Sequence, residues 1–156
     1  MRTARFLPFA SEALSKAPDI QDVTSWDRGD HTKGLKISFT SGAQLWVGVT
    51  MTTAPGERIE QPESPVHGDA PDEVALPDLY EDGKITPDRA KKYIAAALTH
   101  AHCDEIETVY PYSDEAANPG VGVKFHNGSR IYCLFTQTAR PGQGPGGKKY
   151  DLQSTF

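Results

Sequence analysis

The sequence is poor in the features that mark disulfide-rich, membrane-spanning and secreted proteins. It has only two cysteines among 156 residues, Cys103 and Cys133, which excludes a framework of several disulfides. Its apolar runs are all shorter than the roughly 18 residues that a membrane-spanning helix requires. The basic segment 1–5 precedes an apolar run that Pro8 interrupts, too short for a secretory signal. We therefore expect a protein of the reducing cytoplasm with no membrane partner.

The signatures of common catalytic and nucleotide-binding sites are also missing. The sequence contains no G-x-S-x-G, no Walker loop and no G-x-G-x-x-G that leads into a helix. The glycines of 142–147 follow a predicted strand, but no predicted helix follows them, so they do not indicate a phosphate-binding loop. We expect no cofactor, and the sequence favours a binding protein over an enzyme.

An internal repeat is the main positive feature of the sequence. Residues 34–56 align without a gap on residues 120–142, at an offset of 86 positions. Seven of these 23 positions are identical, where average composition would give roughly one or two. The preceding helices correspond at an offset of 84, which an insertion in a helix–strand loop would explain. We interpret the chain as two α-β-β-β units related by duplication.

The repeat divides the chain into four segments. The first unit is 1–56, an acidic, proline-containing linker is 57–85, the second unit is 86–142 and a flexible Gly/Lys tail is 143–156. In each unit the helix has apolar residues at helical spacing, whereas the second and third strands alternate with a period of two. This pattern predicts an α+β fold with two helices on one face of an antiparallel sheet and a pseudo-twofold axis between the units.

The turns at Gly42 and Gly128 set the register of the second and third strands in each unit. A two-residue turn would place core and solvent residues on one side, because a slip of one residue inverts every side chain. We expect instead a loop of three or five residues, or a bulge. Such a loop pairs Phe39 with Leu45 in the first unit and Phe125 with Ile131 in the second.

The sheet face that points away from the helices is the first candidate binding surface. It combines basic groups with one aromatic ring in each unit, Trp46 and Tyr132, at equivalent positions. This combination suits single-stranded nucleic acid, because cations follow the phosphates while rings stack on bases. The same residue types are also common on solvated sheet faces. The candidate residues are Lys36, Ser38, Gln44, Trp46, Lys124, His126, Arg130 and Tyr132.

The linker is the second candidate. From Glu57 to Gly83, nine acidic residues stand against Arg58 alone, a net charge of −8 compared with −5 for the whole chain. The rest of the chain therefore carries +3. Three roles fit this composition: the linker docks a basic protein partner, covers a basic surface of its own domain, or is a solvated connector.

A possible metal site near the end of the second helix is the third candidate. It consists of His100, His102 and Cys103, whose side chains all bind transition metals. However, residues two apart on a helix point in different directions. Neither H-E-x-x-H nor a paired C-x-x-C is present. A metal-dependent enzyme would rest on these three residues alone.

These patterns predict a small, non-enzymatic interaction protein, an adaptor or regulator whose partner is another protein. The duplication motivates this hypothesis, because two related surfaces suit a partner with twofold symmetry. The alternatives are a nucleic-acid-binding accessory factor that uses the sheet face, and a metal-dependent enzyme.

Overall fold

Two helices and six strands make up the described part of the chain. The computed structural model describes residues 1–27, 33–145 and 148–156. The helices are α1 (Thr3–Ser15) and α2 (Pro87–Thr99). The strands are β1 (Ile20–Asp27), β2 (Lys33–Phe39), β3 (Gln44–Thr52), β4 (Ile106–Pro111), β5 (Gly120–Phe125) and β6 (Arg130–Ala139). Along the chain, the order is therefore α-β-β-β twice.

The six strands form one antiparallel sheet in the order β1-β2-β3-β6-β5-β4. The last strands of the two halves, β3 and β6, pair at its centre, whereas β1 and β4 form its edges. The predicted α+β class, an antiparallel sheet with two helices, is confirmed. The single sheet also answers a question that the sequence left open, namely whether the strands of the two halves join.

One apolar cluster joins both helices to one face of the sheet. Thr86 begins α2 as its N-cap, because its hydroxyl accepts a hydrogen bond from the Arg89 N–H at 3.2 Å. Tyr93 of α2 is fully buried, and burial raises the pKa of its phenol to about 12. The strands contribute their alternate residues: Leu35, Ile37, Phe39, Leu45, Val47, Val49, Val121, Val123, Phe125, Ile131, Cys133 and Phe135.

The hairpin loops have the expected length but a different register. The Phe39 N–H donates to the Ala43 carbonyl at 2.9 Å, which leaves a three-residue loop with Gly42 at a φ of 91°. The predicted pairing of Phe39 with Leu45 is wrong, because Leu45 lies opposite Ile37. The second hairpin differs from its prediction in the same way. The shift is two residues, so the apolar side chains keep their predicted face.

The linker 57–85, which we call the strap, runs along the helix side of the molecule. Its regular structure is limited to an isolated bridge between Glu81 and Lys84. It begins at the N-terminus of α1, where Glu57 bonds to Arg2 at 2.8 Å. It then passes the C-terminal end of α2, and its Leu79 is buried in the core. The strap is thus attached along much of its length.

The predicted tail also contacts the fold. The Tyr150 N–H donates to the Thr136 carbonyl of β6 at 2.8 Å. Phe156 is 3% exposed and exchanges two backbone hydrogen bonds with Ile85 of the strap. Part of the glycine-rich stretch, 146–147, lies outside the described residues. The Phe156 ring also lies 6.3 Å from that of Phe39, so the end of the tail belongs to the core.

Candidate binding face of the sheet

Five aromatic side chains lie on the face of the sheet that points away from the helices. Residues opposite each other on neighbouring strands point to the same face, and Lys36 lies opposite Trp46 on the side away from the core. The same reasoning places Tyr132 there through its partner Thr50. All five rings are half-buried: Trp26, Trp46, Tyr110, Tyr112 and Tyr132. We call this surface the aromatic face.

Trp26 packs directly against a glycine of the neighbouring strand. Trp26 lies opposite Gly34, and a Cβ at Gly34 would come within 2.9 Å of the Trp26 Nε1. The indole N–H donates to the Leu35 carbonyl at 3.1 Å. Gly34 therefore lets the ring lie against the strand backbone, and the hydrogen bond fixes its position.

Two tyrosines pack against glycines at the opposite edge of the sheet. A Cβ at Gly122 would collide with the ring of Tyr110, and one at Gly120 would come within 2.7 Å of the Tyr112 ring. The two rings lie 6.3 Å apart, a separation typical of interacting aromatic pairs. Burial raises the pKa of Tyr112 above its usual range. Both edges of the face thus carry rings set over glycine.

An uncharged row of residues crosses the middle of the aromatic face. Cross-strand pairs connect it through β1, β2, β3, β6 and β5, and a hydrogen bond from the Tyr112 N–H to the Gly120 carbonyl extends it to the residue after β4. In order across the sheet, the row is Trp26, Gly34, Gly48, Leu134, Gly120 and Tyr112. Three of the four residues between the rings are glycines, and the fourth is Leu134.

Charged residues surround this row. Lys124 pairs with Glu107 at 2.8 Å, and this hydrogen bond holds the pKa of the Glu107 carboxyl below its usual range. The charged side chains on the strands around the row are Asp22, Lys36, Glu107, Lys124 and Arg130. The aromatic face therefore has an uncharged centre and a mixed-charge border.

The structure brings together most, but not all, of the predicted face residues. Ser38 and Gln44 lie opposite each other, and the Gln44 amide donates to the Ser38 hydroxyl at 3.4 Å. Lys124 lies opposite Arg130. His126, in contrast, lies in the β5–β6 turn, where its Nε2 is 2.9 Å from the Asp69 carbonyl oxygen of the strap. Its partner is therefore the strap.

Sequence reasoning missed three of the five rings, namely Trp26, Tyr110 and Tyr112. The register of β1 shifts between Ile20 and Asp22, and β4 has the equivalent irregularity, so neither strand alternates in a simple way. The repeat offset could have identified two of these rings as an equivalent aromatic pair. Trp26 and Tyr112 are separated by the repeat offset of 86 residues.

The third candidate, the possible metal site, is arranged differently from its prediction. Glu73 of the strap lies between the two histidines, with Oε1 at 3.3 Å from His100 Nδ1 and Oε2 at 3.1 Å from His102 Nε2. Cys103 packs against the apolar core. Within ranges 1–27, 33–145 and 148–156, no group of three or more side chains is arranged to hold a metal ion. Glu73 was not among the predicted residues.

The two cysteines, Cys103 and Cys133, are free thiols. Cys133 points into the core, and burial raises the pKa of its thiol to about 12. Cys103 is half-buried. A thiol that stays protonated at neutral pH is a small apolar side chain, so Cys133 serves packing.

Among the described residues, no helix is both long enough and apolar enough to cross a membrane. No protein-family model, curated protein or solved structure matches the chain.

Proposed function

We propose that this chain is a non-enzymatic adaptor or regulator whose aromatic face binds a protein partner. The observation that carries the proposal is the uncharged row with rings at both ends and a charged border. The centres of protein interfaces are enriched in Trp and Tyr and depleted of charge, whereas their rims are polar. Rings already packed against glycine also lose little side-chain freedom when a partner covers them.

We further infer that the face arose by duplication of an α-β-β-β unit. The pairing of β3 with β6 supports this, because Val47 lies opposite Phe135 while Val49 lies opposite Cys133. At the repeat offset of 86, these two pairs are images of each other about an axis at Gly48 and its partner Leu134. The register shifts of β1 and β4 also fall at equivalent positions.

The duplication bears on the shape of the partner. Under the same offset, Trp26 over Gly34 corresponds to Tyr112 over Gly120. A surface with two equivalent halves can bind equivalent halves of a symmetric partner. We therefore expect a partner that presents a twofold-symmetric, largely apolar surface.

Affinity purification from the native host with matched variants tests the proposal. The test variant is the double substitution Trp46→Ala and Tyr132→Ala, and the control is Ile59→Ala, which removes a 63% exposed apolar side chain from the strap. We expect one stoichiometric, nuclease-resistant protein with the wild type and the control, but not with the double variant. Truncating a ring at the centre of an interface typically costs about 2 kcal/mol, roughly thirtyfold in affinity.

Adding the purified partner back completes this test. Bound partner must slow hydrogen exchange in β2, β3, β5 and β6 if it covers the aromatic face. Equal retention by all three proteins, or exchange protection confined to the strap, would refute the assignment of the face. Circular dichroism and thermal unfolding of the variants confirm that each is folded.

Single-stranded nucleic acid is the second candidate partner. One observation favours it: Lys36 lies directly opposite Trp46, so a cation and a ring are adjacent on the face. The strap on the helix side carries a net charge of −7, because Lys84 joins Arg58 against its nine acidic residues, and the rest of the chain carries +2. Fluorescence anisotropy with a labelled oligothymidylate of about 20 nucleotides tests this candidate. If nucleic acid is the partner, binding of the oligonucleotide must fall steeply between about 50 and 200 mM salt. Binding must also be weaker for both Lys36→Ala and Trp46→Ala.

A further inference from the structure

All four histidines that the structure describes contact the strap or belong to it. His67 of the strap has its Nδ1 at 2.9 Å from the Asp104 carboxylate, beyond the end of α2. His100 and His102 both contact Glu73, and His126 contacts the Asp69 carbonyl oxygen. The fifth histidine, His31, lies outside the described residues. The histidines thus concentrate on the middle of the strap, residues 67–74.

The contacts of His100 require a particular protonation state. Its Nε2 lies 2.7 Å from the Val74 carbonyl oxygen, which can only accept, so Nε2 carries a proton. Its Nδ1 lies 3.3 Å from a carboxylate oxygen of Glu73, which also only accepts when ionised. In a neutral ring, that nitrogen would present a lone pair to the carboxylate. Both contacts are attractive together only in the imidazolium form.

The charges around His100 and His102 come from three elements. Glu73 of the strap contacts both rings. Lys16, at the end of α1, borders the same hollow as His100 and forms its own ion pair with Glu12 at 3.5 Å. The C-terminal end of α2, where His100 is the C-cap, adds the partial negative charge of its carbonyl groups.

His67 has a comparable environment. The hydrogen bond to Asp104 raises the pKa of His67, and the nearby Glu105 acts in the same direction while Arg5 opposes it. Because its pKa is raised in the folded state, the contribution of this contact is complete at low pH. It is lost as the pH rises through the raised pKa. His126 has an uncharged carbonyl partner on the strap, and Glu107 is the carboxylate whose charge interacts with it.

We propose that His67, His100 and His102 form a pH-dependent clasp that holds the middle of the strap when they are protonated. Histidine is the side chain whose charge ordinarily changes between about pH 5 and 8. Charge-assisted contacts to Asp104 and Glu73 are closed at the acidic end of this range. Loss of the protons leaves His100 and Glu73 with opposed lone pairs, and segment 67–74 opens more often.

Two backbone amides report on the two halves of the clasp separately. The Gly68 N–H donates to the Asp104 carbonyl at 2.8 Å, next to His67. The Val74 N–H donates to the Thr99 hydroxyl at 2.9 Å, next to His100. The Ile85 N–H, bonded to the Phe156 carbonyl at 2.8 Å, is a control in a part of the strap that lacks histidine.

Hydrogen exchange of the whole chain, followed by NMR at about pH 5.5 and 8 and corrected for intrinsic exchange, tests the clasp. We expect the protection of Gly68 and Val74 to fall roughly two- to fivefold at the higher pH, the size of effect that loss of a solvent-exposed ion pair gives. Protection of Ile85 should stay within about twofold. His67→Gln should abolish the pH dependence at Gly68 only, and His100→Gln at Val74 only.

His126→Gln is the matched control, because its strap partner carries no charge. This variant should keep the pH dependence at both reporting amides. Two results would overturn the clasp. One is a change at Gly68 and Val74 no larger than that at Ile85. The other is a pH dependence that survives in the folded His67→Gln and His100→Gln variants.

Discussion

The two faces of the sheet are built from the same strands but are covered in opposite ways. One face supports both helices and is sealed by apolar packing, and the ion pairs of the strap gather on that side, as between Arg5 and Glu63. The other face has rings such as Trp46 that are half-buried, with glycines beneath several of them. Large aromatic side chains therefore lie on a face of the sheet that the helices leave uncovered. Such a surface is typical of a binding site.

We expect the largest difference in unfolding free energy between two variants that each remove one ring, one from each face of the sheet. Phe39→Ala on the core face should lower the free energy of unfolding by about 3–5 kcal/mol, because it leaves a cavity in packed surroundings. Trp46→Ala on the aromatic face should cost about 1 kcal/mol or less, since its ring is only half-buried. Urea unfolding of both variants measures the difference. Equal losses of unfolding free energy would show that the rings of the aromatic face stabilise the fold as strongly as the core does.

Glycine substitutions sharpen the comparison within the aromatic face. Gly34→Ala should cost about 1–3 kcal/mol, because the new Cβ would collide with the Val47 carbonyl oxygen and press on the Trp26 indole. Gly48→Ala is the matched control, since its Cβ would meet the Thr136 methyl group at 3.3 Å and the Leu134 carbonyl oxygen at 3.9 Å. Thermal unfolding should rank Gly34→Ala clearly below Gly48→Ala. The reverse order would contradict the close packing at Gly34.

The ion pairs on the helix side should contribute less. Arg5 bonds to Glu105 at 2.6 Å, and Glu105 is almost fully buried while Arg5 is about half exposed. Arg5→Gln leaves this carboxylate with fewer donors and should cost about 1–2 kcal/mol. Urea unfolding of the variant beside the wild type at neutral pH measures this cost. An unfolding free energy equal to the wild type at neutral pH would count against a role for this pair.

The sequence was informative where structure is local. Alternation in β2, β3, β5 and β6 predicted the core face, and the helical spacing of apolar residues predicted both helices. The hairpin loop length followed from the position of Gly42, although its register did not. Each of these features depends on residues that are close together in the chain.

What could not be predicted depends on long-range contacts. The pairing of β3 with β6 joins residues that are far apart, and the sheet could equally have been two. The register shift in β1 hid Trp26 from a parity argument. Glu73 lies far along the chain from His100, so no spacing rule connects them. The strap contacts therefore depend on the tertiary fold, which brings together residues that are far apart in the chain.

Fluorine NMR of protein labelled with fluorotryptophan tests the central claim, binding through the aromatic face, most directly. The chain has two tryptophans, and both Trp26 and Trp46 lie on this face. Addition of the partner captured from the native host should shift or broaden both resonances and reduce their response to a soluble paramagnetic quencher. A saturating partner that leaves both resonances and their quenching unchanged would contradict the account.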